Sequence, residues 1–421
     1  MTFCELLATR PVLLDGGTGT LLQSRGLGPG EAPEEWNLTH ADDLIAIHRS
    51  YYDAGADVVV SNTFGANPLK LHGSISVEET VTAAIRNLRT ARDQAGHGYV
   101  ALDVGPTGRL LAPLGDLDFD AAVASFRRVI EAGVQAGAEV ISIETMTDLY
   151  ELKAAVLAAK EVCDLPILAS AAFDANGRLL TGGDPAALVS LLEGLGVTAL
   201  GVNCGAGPLQ LETTARKLLE LSSLPVLLKP NAGLPCTVNG CTHYDIDAAQ
   251  FAAALAPLVT CGVRLVGGCC GTTPQHIALL KQAVDGLPLS PTSQKGLALI
   301  SSGSRAVDVH TLDVDSITPI QIPDDPDDLL DEVFDRQDEE EPVLHLVFGP
   351  DSLTPVEAVE TIQAVCQLPL WLEGEGDLEP ALRRLNGKAL VTASKATTPL
   401  LRRFGGVSIN PDGTVETFKR S

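Results

Sequence analysis

The chain has 421 residues, too long for one ordinary domain and enough for about two. Hydrophobic residues make up 45% of it and aromatics only 4%, so a sizeable core is expected, packed from Ala, Leu and Val. A formal charge of −25 repels phosphate backbones and anionic bilayers, which argues against nucleic acid and membrane partners.

No run approaches the ~18 uninterrupted apolar residues of a membrane span. The start, Met1-Thr2-Phe3-Cys4-Glu5, lacks the basic segment and apolar stretch of a signal peptide. Nine cysteines, an odd number spread along a long chain, do not form a secreted disulfide framework. A reduced, cytoplasmic protein is expected, with Cys4, Cys163, Cys261 and Cys366 as ordinary thiols.

From residue 12 to 284 one unit recurs: a short apolar run, a polar or glycine-bearing end, then an amphipathic helical stretch. The predicted strands are Val12–Asp15, Asp57–Ser61, Tyr99–Asp103, Val140–Glu144, Pro166–Ala171, Ala199–Asn203, Pro225–Lys229 and Arg264–Gly267. They show little alternation, as strands buried on both faces should. Helices are predicted at Asp43–Ala54, Val77–Gln94, Phe119–Ala136, Tyr150–Val162, Ala186–Leu195, Leu209–Leu221, Ala248–Leu258 and Pro274–Val284. Several stop at glycine, as in Ala136-Gly137-Ala138, where a left-handed residue closes the helix. Strict strand–helix alternation of this length predicts an α/β fold, a (β/α)8 TIM barrel over residues 1–288. A doubly wound sheet would want Gly-x-Gly-x-x-Gly after its first strand, and Asp15-Gly16-Gly17-Thr18-Gly19-Thr20 is wrongly spaced.

Residues 289–342 are expected to be a linker and an acidic segment. The linker character begins at Gly286-Leu287-Pro288, and the acidic run from Asp324 to Glu341 is a solvated helix face or a tether. Residues 343–421 alternate again, with strands at Val343–Phe348, Leu370–Leu372 and Ala389–Thr392 and helices at Pro355–Cys366 and Leu378–Leu385. That is a smaller C-terminal α/β domain, too short for a second barrel of ~200 residues.

A barrel builds its site from the C-terminal ends of its strands. Those ends carry Asp15, Asn62-Thr63-Phe64, Asp103, Glu144-Thr145, Asn203-Cys204, Lys229-Pro230-Asn231 and Cys269-Cys270. Three thiols, Cys204, Cys269 and Cys270, thus leave the sixth and eighth strands on glycine-rich turns. Three thiolates suit Zn²⁺ with one position left for a guest. By spacing alone, small buried side chains are as good an account. Glu144 follows Val140-Ile141-Ser142-Ile143, so it should be buried and in need of a cationic partner, which a ligand could supply. An aldolase-like barrel would need a strand-end lysine; Lys229 is the one candidate, it precedes Pro230, and it is given no role. Cys236 and Cys241 could pair or bind a second metal, but Val238-Asn239-Gly240 between them reads as a hairpin turn, and two free loop thiols are expected.

Residues 10–284 resemble the homocysteine S-methyltransferase family, and most closely the homocysteine-binding module of cobalamin-dependent methionine synthase. The likeness rests on Leu14-Asp15-Gly16-Gly17-Thr18-Gly19-Thr20, Glu34-Glu35-Trp36-Asn37-Leu38-Thr39-His40 and Ser61-Asn62-Thr63-Phe64-Gly65-Ala66-Asn67. It continues in Gly201-Val202-Asn203-Cys204-Gly205, Lys229-Pro230-Asn231-Ala232-Gly233-Leu234-Pro235 and Gly267-Gly268-Cys269-Cys270-Gly271-Thr272-Thr273-Pro274. The resemblance implies Cys204, Cys269 and Cys270 as zinc ligands. It implies Asp15, Gly16, Gly17, Glu144 and Asn203 around the amino-acid part of homocysteine.

The implied reaction is zinc-dependent methyl transfer to the homocysteine thiol, giving methionine, with no general base besides the metal. The expected donor is a methyl-corrinoid or folate-derived group held by a separate protein. A small donor such as S-methylmethionine, or a non-catalytic homocysteine-binding and docking subunit, stays open beside it. Residues 343–421 are faintly similar to the opening of the folate-binding barrel of methionine synthase, through Leu378-Glu379-Pro380-Ala381-Leu382 and Leu385-Asn386-Gly387-Lys388-Ala389-Leu390-Val391.

Overall fold

Strands that are apolar on both faces require cover on both, and the chain supplies it by closing a sheet on itself and ringing it with helices. This is seen in a computed structural model of the protein, which describes residues 1–71, 75–238, 241–290, 296–374 and 376–420. The parallel strands are β1 (Val12–Leu13), β2 (Val58–Val60), β3 (Tyr99–Val104), β4 (Val140–Met146), β5 (Ile167–Ala171), β6 (Ala199–Asn203), β7 (Val226–Lys229) and β8 (Val263–Val266). From β2 on, each pairs with the next in sequence, and β8 returns to pair with β1. A parallel bridge between Leu14 and Val58, with Asp57 N–H donating to Leu13 O at 2.7 Å, closes the ring.

Outside the strands lie α1 (Ala41–Asp53), α2 (Val77–Ala95), α3 (Phe119–Ala136), α4 (Leu149–Val162), α5 (Pro185–Gly194), α6 (Pro208–Leu221), α7 (Ala248–Cys261) and α8 (Pro274–Val284). The expected barrel is present, with element ends shifted by a few residues. The helix starts obey local chemistry: Ser76, Asp118, Asp184 and Asp247 each accept a backbone N–H of the first turn through the side chain. The core divides by sheet face. Inside the barrel Val12, Leu14, Val58, Ala101, Val140, Leu168, Ala199, Leu227 and Leu265 pack together, plugged at the bottom by Phe3, Leu6 and Leu7 of the helix Phe3–Thr9. Among the described residues no helix is long and apolar enough to cross a membrane.

The segment read as linker and acidic tether contains structure. Leu299–Ser301 and Ala306–Asp308 pair antiparallel, and Ile320–Gln321 (β9) is the first strand of a second sheet. The acidic run lies on α9 (Pro326–Asp338), which buries Leu329 and Val333, one turn apart, beneath its charged face. The second sheet continues through β10 (Leu344–Phe348), β11 (Leu370–Gly374), β12 (Leu390–Thr392) and β13 (Gly406–Ile409), parallel and in sequence order, and ends on antiparallel β14 (Val415–Phe418). Its remaining helices are α10 (Pro355–Gln363), α11 (Leu378–Arg384) and α12 (Thr397–Phe404). The reading of the sequence stopped at Thr392 and did not place α12, β13 or β14.

This smaller unit is docked on the outer helices of the barrel. Lys153 of α4, only 2% exposed, donates from Nζ to Leu382 O at 2.8 Å, Leu385 O at 2.6 Å and Gly387 O at 3.4 Å, at the end of α11. Arg383 and Arg384 reach Asp120 of α3 at 3.2 and 2.6 Å, and Ser190 of α5 donates to Leu299 O.

Candidate functional site: the barrel mouth

The mouth is shaped by backbone before any side chain acts. After β8 the chain turns through Gly267–Thr273, and neighbouring strands hold that turn. Gly268 N–H donates to Asp15 O at 2.8 Å, Cys269 N–H to Pro230 O at 2.8 Å, and Cys270 N–H to Asn231 Oδ1 at 3.1 Å. Gly271 sits at φ +78°, and a Cβ there would lie 2.2 Å from the Tyr244 ring, so only glycine suits both demands. Gly17 lies so near this turn that a Cβ would meet Cys269 O at 2.7 Å. Cys204 leaves β6 at φ +59°, and its N–H donates to Lys229 O at 3.0 Å. A non-glycine residue at positive φ is uncommon and needs its surroundings to hold it there.

The result is that the sulfurs of Cys204, Cys269 and Cys270 all lie within 4.8 Å of one another. Thiolates sharing one tetrahedral zinc, each ~2.3 Å from it, stand about 3.8 Å apart. The donor set therefore fits a soft metal ion with little movement. The Cys204 thiol is pushed down to about 3 because Cys269, and after it Cys270, donate S–H to its thiolate. The Cys270 thiol is pushed up to about 11 by the same hydrogen bond seen from its side.

The other half of the site is ionic. Lys229, at the end of β7 and 2% exposed, reaches Asp15 Oδ1 at 3.2 Å and the two Glu144 oxygens at 2.8 and 3.0 Å. Asp15 Oδ2 accepts Val60 N–H at 2.8 Å, and Glu144 Oε1 also accepts Ser142 Oγ–H at 2.8 Å. Burial raises the Asp15 carboxyl to about 6, with Lys229 opposing it. Burial likewise lowers Lys229, but Glu144 and Asp15 outweigh it and hold the ammonium charged. The cationic partner expected for Glu144 is thus a lysine of the chain itself, the residue to which no role was given.

A cavity of about 370 Å³, within the range of small-molecule sites, opens between these halves. Gly16, Gly17, Asp103, Glu144, Lys229 and the cysteines line it. Asp15 does not reach its wall: it is fully buried behind Lys229 and acts on the cavity through that side chain. Asn203 is also fully buried behind the wall. It accepts Thr145 N–H at 2.7 Å and Ser170 Oγ–H at 2.8 Å, and donates to Thr145 Oγ1 at 2.7 Å and toward Cys269 Sγ at 3.9 Å. Thr145 is held at φ +61° by this clasp. The side chains of Cys236 and Cys241 and the Asn239-Gly240 turn lie outside the described residues; the flanking strands Pro235–Val238 and Cys241–Tyr244 pair antiparallel.

Lys229, Asn231, Ser170 and Thr145 went without a role in the sequence. A charge at the end of a doubly buried strand was the available signal for Lys229, since Asp15 and Glu144 end strands of the same barrel.

Comparison with known proteins places the barrel among relatives. The homocysteine S-methyltransferase family profile matches residues 12–284. The methionine synthases of Mycobacterium tuberculosis and Mycobacterium leprae are each 33% identical over 300 residues, covering 66% of this chain but 25% of their own. The chain thus spans about a quarter of the length of these relatives. Among solved structures, the metallated form of the homocysteine methyltransferase MmuM from Escherichia coli superposes with a TM-score of 0.57 at 27% identity, covering 66% of this chain and 98% of that one. Its oxidized form gives 0.56, with 97% of that chain covered.

Proposed function

We propose that this chain, which belongs to the homocysteine S-methyltransferase family, transfers a methyl group to the thiol of homocysteine at the mouth of its barrel, giving methionine. The observation that carries the reading is the convergence of three cysteine sulfurs, Lys229 and Glu144 on one cavity, with Asp15 paired to Lys229 behind the wall. Cys204, Cys269 and Cys270 would hold Zn²⁺. Bound there, the ion would supply Lewis acidity that strips the proton from the substrate thiol, whose pKa of ~8.5 otherwise leaves little thiolate at neutral pH.

The residues of the chain do the rest by placement. Lys229, with its single positive charge, offsets one of the two carboxylates it touches and so lessens the negative charge that the carboxylate of an amino acid meets in the cavity. The backbone of Gly16 and Gly17, which lines the cavity, forms the wall on which that carboxylate rests. Glu144 faces the amino group. Asn203 keeps Thr145 and Cys269 in position from behind. The eight histidines are left without a part in proton transfer, because the metal-bound thiol needs no base. The donor is proposed to be a methyl-corrinoid or folate-derived group on a separate protein, a reading supported by the likeness to methionine synthases.

The test is methionine formation by zinc-loaded protein given homocysteine and, in separate reactions, a methylated corrinoid protein, a methylfolate or S-methylmethionine. Turnover with the first two alone supports the proposed donor; turnover with S-methylmethionine alone replaces it. Cys269→Ser should lose zinc and turnover together, and full turnover by a zinc-free variant would refute the assignment of the cysteines.

A further inference from the structure

The ionic half of the mouth holds one group whose needs the protein does not meet. Lys229 directs its N–H groups to Asp15 and both oxygens of Glu144; Asp15 and Glu144 each take a further hydrogen bond from Val60 N–H and Ser142 Oγ–H. Asp103, at the end of β3, is treated differently. Its backbone is clamped, N–H to Ser61 Oγ at 3.2 Å and carbonyl from Thr63 Oγ1 at 2.7 Å. Its carboxyl accepts no hydrogen bond among the described residues, and Oδ1 is fully enclosed without a partner. The residue is 7% exposed and forms part of the cavity wall with Glu144.

A carboxyl taken out of water without a partner is costly, and native structures rarely keep one without a reason. Asp103, Glu144 and Glu34 stand on the wall of this mouth with Asp15 behind it; the ammonium of Lys229 is engaged by Asp15 and Glu144, and Glu34 accepts Gly65 N–H at 2.6 Å. What Asp103 lacks is therefore a donor, and the surplus of negative charge around it favours a cationic one. The carboxyl stands on the cavity wall, so a ligand there can bring that donor, to Oδ2 as it lies or to Oδ1 once the carboxylate turns.

We infer that Asp103 is a substrate contact that, with Glu144, receives the α-ammonium of the bound amino-acid thiol and makes the site select thiols that carry it. This rests on the proposed function, because it takes the ligand to be a thiol anchored at the cysteines. Its own content concerns the opposite end of that ligand. Asp15, equally buried but fully engaged, has no such part.

The test is calorimetric binding of two thiols to zinc-loaded, full-length protein: homocysteine and 4-sulfanylbutanoic acid, which is homocysteine without its amine. Wild type should prefer homocysteine. Asp103→Asn keeps shape and removes charge; homocysteine affinity should drop about 10- to 100-fold, the loss expected for a hydrogen bond to a charged group. Binding of the deamino thiol should stay within about twofold, leaving the metal end of the site untouched. Zinc content should be unchanged and the melting temperature unchanged or raised, since a neutral amide replaces a desolvated acid. A variant that keeps the wild-type preference overturns the inference, as does one that loses zinc or unfolds. Equal affinity of wild type for both thiols removes Asp103 from the substrate while leaving homocysteine in place; wild type that binds neither thiol sinks the homocysteine reading itself.

Discussion

Replacing Lys229 by methionine removes a nearly buried charge from between two carboxyls, one of them fully buried. The side chain keeps similar length, but Asp15 and Glu144 lose an ammonium at 3.2 and 2.8 Å, and Asp15 is 0% exposed. Breaking a buried pair by deleting one partner costs about 3–5 kcal/mol, because the remaining charge is stranded. The stranded carboxyls relieve themselves by binding protons, which gives the loss a pH signature. Asp15 is raised to about 6 by burial even with the lysine present, and without it the folded-state value must go higher. An acid whose pKa is higher folded than unfolded (~3.9) holds more protons in the native state, so its contribution to stability falls as pH rises through the folded value. Each such proton is worth about 1.4 kcal/mol per pH unit.

The deficit of Lys229→Met should therefore be widest near pH 7.5 and narrow on acidification toward pH 5.5. Urea unfolding at pH 5.5, 6.5 and 7.5, followed by tryptophan fluorescence, measures it. Trp36 reports on the barrel and Trp371 on the smaller unit, and they are the two tryptophans of the chain. A variant within about 1 kcal/mol of wild type at pH 7.5 would refute the reasoning. So would a deficit that ignores pH.

Two further substitutions probe the turn and the docking. Gly271→Ala forces a Cβ into the left-handed region and to within 2.2 Å of the Tyr244 ring, so the turn carrying Cys269 and Cys270 must shift. Zinc affinity, measured against a competing chelator, should fall at least tenfold, the equivalent of the ~1–2 kcal/mol strain of that backbone alone; unchanged affinity would show that the turn gives way elsewhere. Lys153→Met leaves three carbonyls at the end of α11 without their buried donor. A loss of about 1–3 kcal/mol is expected in the Trp371 transition, with homocysteine binding at the mouth intact. Equal stability would mean that the ion pairs of Arg383 and Arg384 alone hold the unit in place.

The barrel was legible because it is written in local terms. Runs such as Ala199–Asn203 are buried on both faces and lack alternation, helices carry their own caps, and the order of elements admits few topologies. The cysteine trio was legible as residues and turns, since glycines around Cys269 and Cys204 mark tight backbone at strand ends. The acidic run misled because charge dominated its composition, while Leu329 and Val333, which seat α9, are only two residues. Asp103 was visible as a strand-end acid, but nothing in the sequence distinguishes a carboxyl with partners from one without.

Sequence alone determined the closed parallel sheet, the rim on which function would sit, and the thiols that give the rim its chemistry. Each follows from the hydrophobic pattern and backbone demands of neighbouring residues. Only tertiary structure decided which acid is neutralised, which stands behind the wall and which faces the cavity. Lys229 meets Asp15 across 214 positions and Glu144 across 85, and Lys153 pins a helix end 229 positions away. Interactions of that range depend on the three-dimensional placement of strand ends and the dielectric around them, and no local pattern encodes either.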